Sequence, residues 1–134
     1  MALDLASAEK IAQKGLERAR EMGLKVSFAV LDESGNLVYV ARMDGAPFFS
    51  PNIAMGKAWV SSAWRISSGD IEKKAQAAPY FYESVVTASG GRGVIRQGAL
   101  PIVIDGKVVG AAGVSGGTSV EDEEIVRAGL QAIA

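Results

Sequence analysis

The stretch ALPIVIDGKVVGAAGVS, residues 99–115, constrains the fold more than any other part of the chain. Two apolar runs meet at Asp105–Gly106, and an Asp-Gly pair is the tight turn that joins adjacent antiparallel strands. A parallel pair needs a crossover of a dozen residues or more, which two residues cannot make. The stretch VSFAVLDESGNLVYVARMDG repeats the arrangement, with Val26–Leu31 and Leu37–Met43 flanking the turn-forming DESGN. A sheet assembled from hairpins is antiparallel, and helical segments before, between and after the hairpins must pack on it. The expected class is α+β.

The helices announce themselves by their ends. Asp4 is placed to cap a helix over residues 4–22 that Gly23 ends. One face of it carries Leu5, Ala8, Ala12, Gly15, Ala19 and Met22, mostly small side chains suited to close packing on a sheet. Ser50–Pro51 reads as an N-cap followed by proline at the first helical position, opening a helix to about Ile66. SSGD then restarts a shorter helix that Pro79 stops. Residues 80–98 stay ambiguous: YFYESVV suits a helix or a strand, and a short strand is expected before the second hairpin. Thr118 opens the last helix, with Glu121 completing a capping box.

A chain of 134 residues fits one domain, 1–134, and a net charge of −1 provides no basic excess for nucleic acid. No apolar run is long enough to span a bilayer, and the opening residues lack signal-peptide character, so a cytoplasmic protein is expected. Cysteine and histidine are both missing. Disulfides, thiolate nucleophiles and thiolate metal sites are thereby excluded, together with the commonest general base and the usual proximal ligand of haem. No metal site is expected. Chemistry falls to Asp, Glu, Lys, Arg, Tyr, Ser or a bound cofactor.

GVSGG at 113–117 matches G-x-S-x-G, the turn that presents a nucleophilic serine. Without histidine, Ser115 has no triad; a lysine dyad through Lys57 or Lys107 is the remaining arrangement. The acidic run Glu121–Glu124 complements the helix start and repels a phosphate. Ser115 therefore reads as part of a strand-to-helix joint, satisfying backbone groups where the strand ends or hydrogen-bonding a ligand. In RMDGA, Arg42 and Asp44 either pair locally or hold a ligand carboxylate, Arg42 through its bidentate fork. Lys57 lies in an apolar helix, where it either snorkels to solvent or faces an anion in a pocket. That helix is apolar around much of its circumference, which predicts a second copy of the chain against one side.

FAVLDESGNLVYVARMDGA, IAMGKAWVSSAW and PIVIDGKVVGAAGVSGGTSVEDEEIVRAGL together resemble the GlcG/HbpS family. Its members include proteins encoded with glycolate-utilisation genes, a secreted haem-binding protein and the C-terminal domain of PduO-type corrinoid adenosyltransferases. The resemblance implies a profilin-like fold with a five-stranded antiparallel sheet, assembled into homo-oligomers. It also implies haem as a possible cofactor, for which this chain has no histidine ligand, and singles out Asp122 within the acidic run. The reading that follows is an oligomeric small-molecule-binding protein for haem or another anionic organic ligand, held by Arg42, Asp44, Lys57 and Ser115. The alternative is a small cofactor-poor enzyme of a catabolic operon acting on a carboxylated or aromatic compound. Asp44, Lys57 and Asp122 are then the candidate catalytic groups.

Overall fold

The computed structural model describes residues 2–134. Asp105 and Gly106 both take left-handed backbone angles, φ 51° and 76°, as a two-residue turn requires. They join β3 (Ala99–Ile104) to β4 (Lys107–Ser115). The other hairpin joins β1 (Ser27–Asp32) to β2 (Leu37–Arg42). Its turn is organised by Asp32, whose carboxylate accepts from the Ser34 and Asn36 backbone N–H groups at 2.9 Å each. The two hairpins meet through β1 and β4, giving the antiparallel order β2-β1-β4-β3.

The pleat then sorts the side chains. Phe28, Val30, Ala112 and Val114 face α1 (Leu5–Glu21) and α5 (Ser119–Leu130), where Ile11, Ala12, Ile125 and Val126 complete the larger core. Leu31 and Ala111 face the opposite way, onto Ala58 of α2 (Ser50–Trp64). The result is three layers with the sheet in the middle. Helix α2 lies very close to the sheet because Gly113 has no side chain: a Cβ there would stand 2.3 Å from the Ala54 carbonyl oxygen. Local capping agrees with the sequence, since Asp4 accepts from Ser7 N–H and Thr118 forms a capping box with Glu121.

The structure corrects three expectations. The sheet has four strands among the described residues, not five. Residues 80–98 contribute no strand; Pro79 ends α3 (Ser68–Ala77) and at once opens α4 (Pro79–Ala88), because its fixed φ suits a first helical position. Beyond α4 the chain runs over α2, with Val94 N–H bonded to the Gly56 carbonyl, and joins the ladder only at Ala99. Ser50 is not an N-cap. That place is taken by Phe49, and the Ser50 hydroxyl is buried, donating to the Pro47 carbonyl and 2.8 Å from Ser27 Oγ.

Burial raises the Asp32 carboxyl pKa, but the hydrogen bonds from Asn36 and Ser34 outweigh it and hold the group below its ordinary 3.8. Its contribution to stability is therefore complete above that value and is lost as pH falls through the folded pKa. Asp32→Asn should be less stable than the parent at neutral pH. In urea unfolding across acid pH, the gap between them should narrow below about 3.8.

Candidate functional site

The sequence candidates fall into two places. Arg42 closes β2, and Asp44–Gly45 turns the chain immediately after it, with Gly45 at φ 84°. Facing this turn is the end of α1 and the segment after it. Between them lies an open cleft of about 580 Å³. Arg20, Lys25 and Arg42 bring three cations to it against one carboxylate, Asp44, while Leu16, Leu24 and Met43 supply apolar lining. Arg42 does not pair with Asp44. Its Nη1 donates to the Ala46 carbonyl at 2.9 Å, which orients the guanidinium and leaves the rest of the fork unengaged.

Lys57 and Asp122 occupy the second place, inside the protein. Lys57 is 4% and Asp122 2% exposed. Lys57 Nζ donates to Asp122 Oδ2 at 2.9 Å and to the Val114 carbonyl at 3.0 Å. Asp122 Oδ1 accepts from Gly117 N–H at 2.8 Å. The lysine starts on one side of the sheet and ends on a helix of the other, passing the start of β3. Gly98 leaves that passage open: at φ 135°, a Cβ there would lie 2.8 Å from Nζ. Burial pushes the Asp122 carboxyl above the ordinary carboxylate range, against the opposing pull of Lys57 and of the Gly117 N–H.

Lys57 thus neither snorkels to solvent nor reaches the cleft. Ser115 ends β4 half-buried, opposite Ser27 in the register, and its side chain makes no hydrogen bond within the described chain. Ser115 was expected to satisfy backbone groups where the strand ends; just beyond that end, Gly117 N–H is bonded by Asp122. The two places adjoin through backbone. A Cβ on Gly116 would stand 2.5 Å from the Lys25 carbonyl oxygen, and one on Gly117 would stand 3.1 Å from Leu24 Cδ1. Sequence reading missed Arg20 and Lys25, whose place at the cleft depends on tertiary packing. A signal for the buried pair was present: Asp122 lies in phase with the buried Ile125, Val126 and Gly129.

A family model described as haem degrading protein HbpS-like matches residues 3–131. The chain belongs to the HbpS-like family. A 15.0 kDa Citrobacter freundii protein of the dhaT-dhaS intergenic region is 36% identical over 96% of this chain and 89% of its own length. A double mutant of HbpS from Streptomyces reticuli superposes with a TM-score of 0.88 at 29% identity, covering all of this chain and 88% of that one. A PduOC:heme complex superposes at 0.87 with 24% identity, covering 98% of this chain and 95% of the other, and shares the fold.

For this member of the HbpS-like family, haem fits the cleft only in part. Arg20, Lys25 and Arg42 suit its carboxylates. The chain offers no imidazole or thiolate to the iron, and the sulfur of Met43 already accepts from Val26 N–H at 3.4 Å.

Removing one partner of a buried ion pair strands the other charge, which costs about 3–5 kcal/mol. Lys57→Met should lose that much stability in urea unfolding. The double substitution Lys57→Met with Asp122→Leu should recover most of it, since no buried charge remains.

Proposed function

We propose that this chain binds an anionic organic molecule in the cleft beside Arg42, with haem as one ligand held through its propionates. The observation that carries the reading is the cleft itself, where three cations and one carboxylate surround an apolar lining. Arg42 fits the role of bidentate carboxylate donor, held in place by the Ala46 carbonyl, with Arg20 and Lys25 adding charge and Asp44 limiting it. A family described as haem degrading and a relative solved as a haem complex support a tetrapyrrole as ligand. Because the iron finds no strong ligand in this chain, the carboxylates rather than the metal carry the affinity. The enzyme reading has less to stand on. The single carboxylate of the cleft, Asp44, is exposed, and Asp122 is engaged by Lys57 and Gly117.

Titration with haemin, followed by absorption, should saturate, and metal-free protoporphyrin should compete with similar affinity. Arg42→Ala should weaken both by about tenfold, the worth of one charge-assisted hydrogen bond. Unchanged affinity in Arg42→Ala would overturn the placement of the ligand. Failure of the metal-free porphyrin to compete would show that the iron is ligated after all.

The same reading includes self-association. Helix α4 buries none of its residues, with Tyr80 85% and Phe81 59% exposed, and Phe48 stands 86% exposed beside Phe49. So much aromatic surface on a small protein fits a second copy of the chain. Light scattering after size exclusion should give an oligomer, and Phe81→Asp should shift it to smaller species. A clean monomer for the parent chain would contradict the assembly.

A further inference from the structure

Trp59, on α2, is held between two glycines. Its five-membered ring lies where a Cβ on Gly35 would approach to 2.9 Å, and its six-membered ring where a Cβ on Gly93 would approach to 2.9 Å. Gly35 belongs to the β1–β2 turn and Gly93 to the loop after α4, so both loops close on the indole without side chains. Arg92 ties them together, its Nη2 donating to the Gly35 carbonyl at 2.5 Å. Beside this wedge is a slot of about 290 Å³ lined by Leu31, Leu37, Met55 and Trp59, with Asn52 and Arg92 as its polar side chains. No Asp or Glu lines it.

We propose that this slot is a second ligand site, distinct from the Arg42 cleft, and that it takes a compact planar carboxylic acid. The volume admits on the order of ten non-hydrogen atoms, at the roughly 30 Å³ a water occupies in the liquid. Aliphatic side chains and an indole suit a flat apolar body, and aromatic faces pair best in offset or edge contacts. Arg92 supplies the charge. One of its N–H groups is spent on Gly35, which fixes the guanidinium, and the fork geometry of the remainder suits a carboxylate. The Asn52 side chain makes no hydrogen bond within the described chain, its backbone N–H alone donating to the Phe49 carbonyl, so its amide is available as a second donor. A slot of apolar walls with a few converging polar groups is the usual form of a small-molecule site. With donors and no carboxylate around it, the slot discriminates for an anion.

Tryptophan fluorescence tests this directly. The chain has two tryptophans, and Trp64→Phe leaves Trp59 as the single reporter. In that background, benzoate should change the emission saturably, and benzyl alcohol, of similar shape without the charge, should bind at least about tenfold more weakly. Arg92→Lys keeps the charge but loses the fork, and should weaken benzoate by a similar factor. Asn52→Ala, which removes no internal bond, should also weaken it and guards against a loop disturbed by the Arg92 change. Arg42→Ala should leave benzoate binding unchanged. Absence of a saturable change with benzoate would overturn the proposal, as would equal binding of benzyl alcohol. Loss of the signal in Arg42→Ala would overturn it by placing benzoate in the other cleft. Haemin titration of the same variants reads the Arg42 cleft separately, so the two sites fail independently.

Discussion

A buried ammonium and a buried carboxylate hold the three layers in register. Each alone carries a desolvation cost of several kcal/mol, so the fold is stable only when α2, the end of β4 and α5 bring them together. The pair is also fully bonded: Lys57 gives hydrogen bonds to Asp122 and Val114, and Asp122 receives from Lys57 and Gly117. Among the described residues, no buried side-chain nitrogen or oxygen is left without a partner. An apolar pair of similar volume could match its stability, but it would not specify which ends must meet. The motif GVSGG is explained by this arrangement. It supplies the carbonyl and the N–H that the pair requires, at the point where the strand gives way to the helix.

Local signals in the sequence translated well. Asp105–Gly106, the Thr118–Glu121 capping box and the Asp4 cap each involve residues within three positions of one another, so short-range chemistry determines them. Pro79 shows where such reading stops: the same residue forbids one helix from continuing and favours the start of the next, and both happen. Ser50 has the right chemistry for a cap but lies against Ser27, because packing on the sheet competes with capping. The fifth strand was expected within residues 80–98 and implied again by the family resemblance, but no hairpin signal lay behind it.

The site was legible in pieces. Arg42 and Asp44 stood out because turn chemistry places polar residues at a strand end. Their neighbours Arg20 and Lys25 are ordinary surface cations until α1 and β2 come together. Lys57 and Asp122 were each odd in context, but 65 residues separate them, and no local pattern joins residues so far apart. Arg92 lay in a glycine-rich stretch with no readable period, although that is where it bridges to the first hairpin turn.

Gly113 has a consequence for how this architecture can diversify. With α2 seated against bare backbone, no room is left between helix and sheet at Gly113, and the proposed ligand sites lie at the rims of the layers. There, turns and inter-helix segments can change length and charge without disturbing the seam beneath. A change of ligand on this scaffold therefore needs only two or three rewritten loops, with the contact of α2 at Gly113 left as it is.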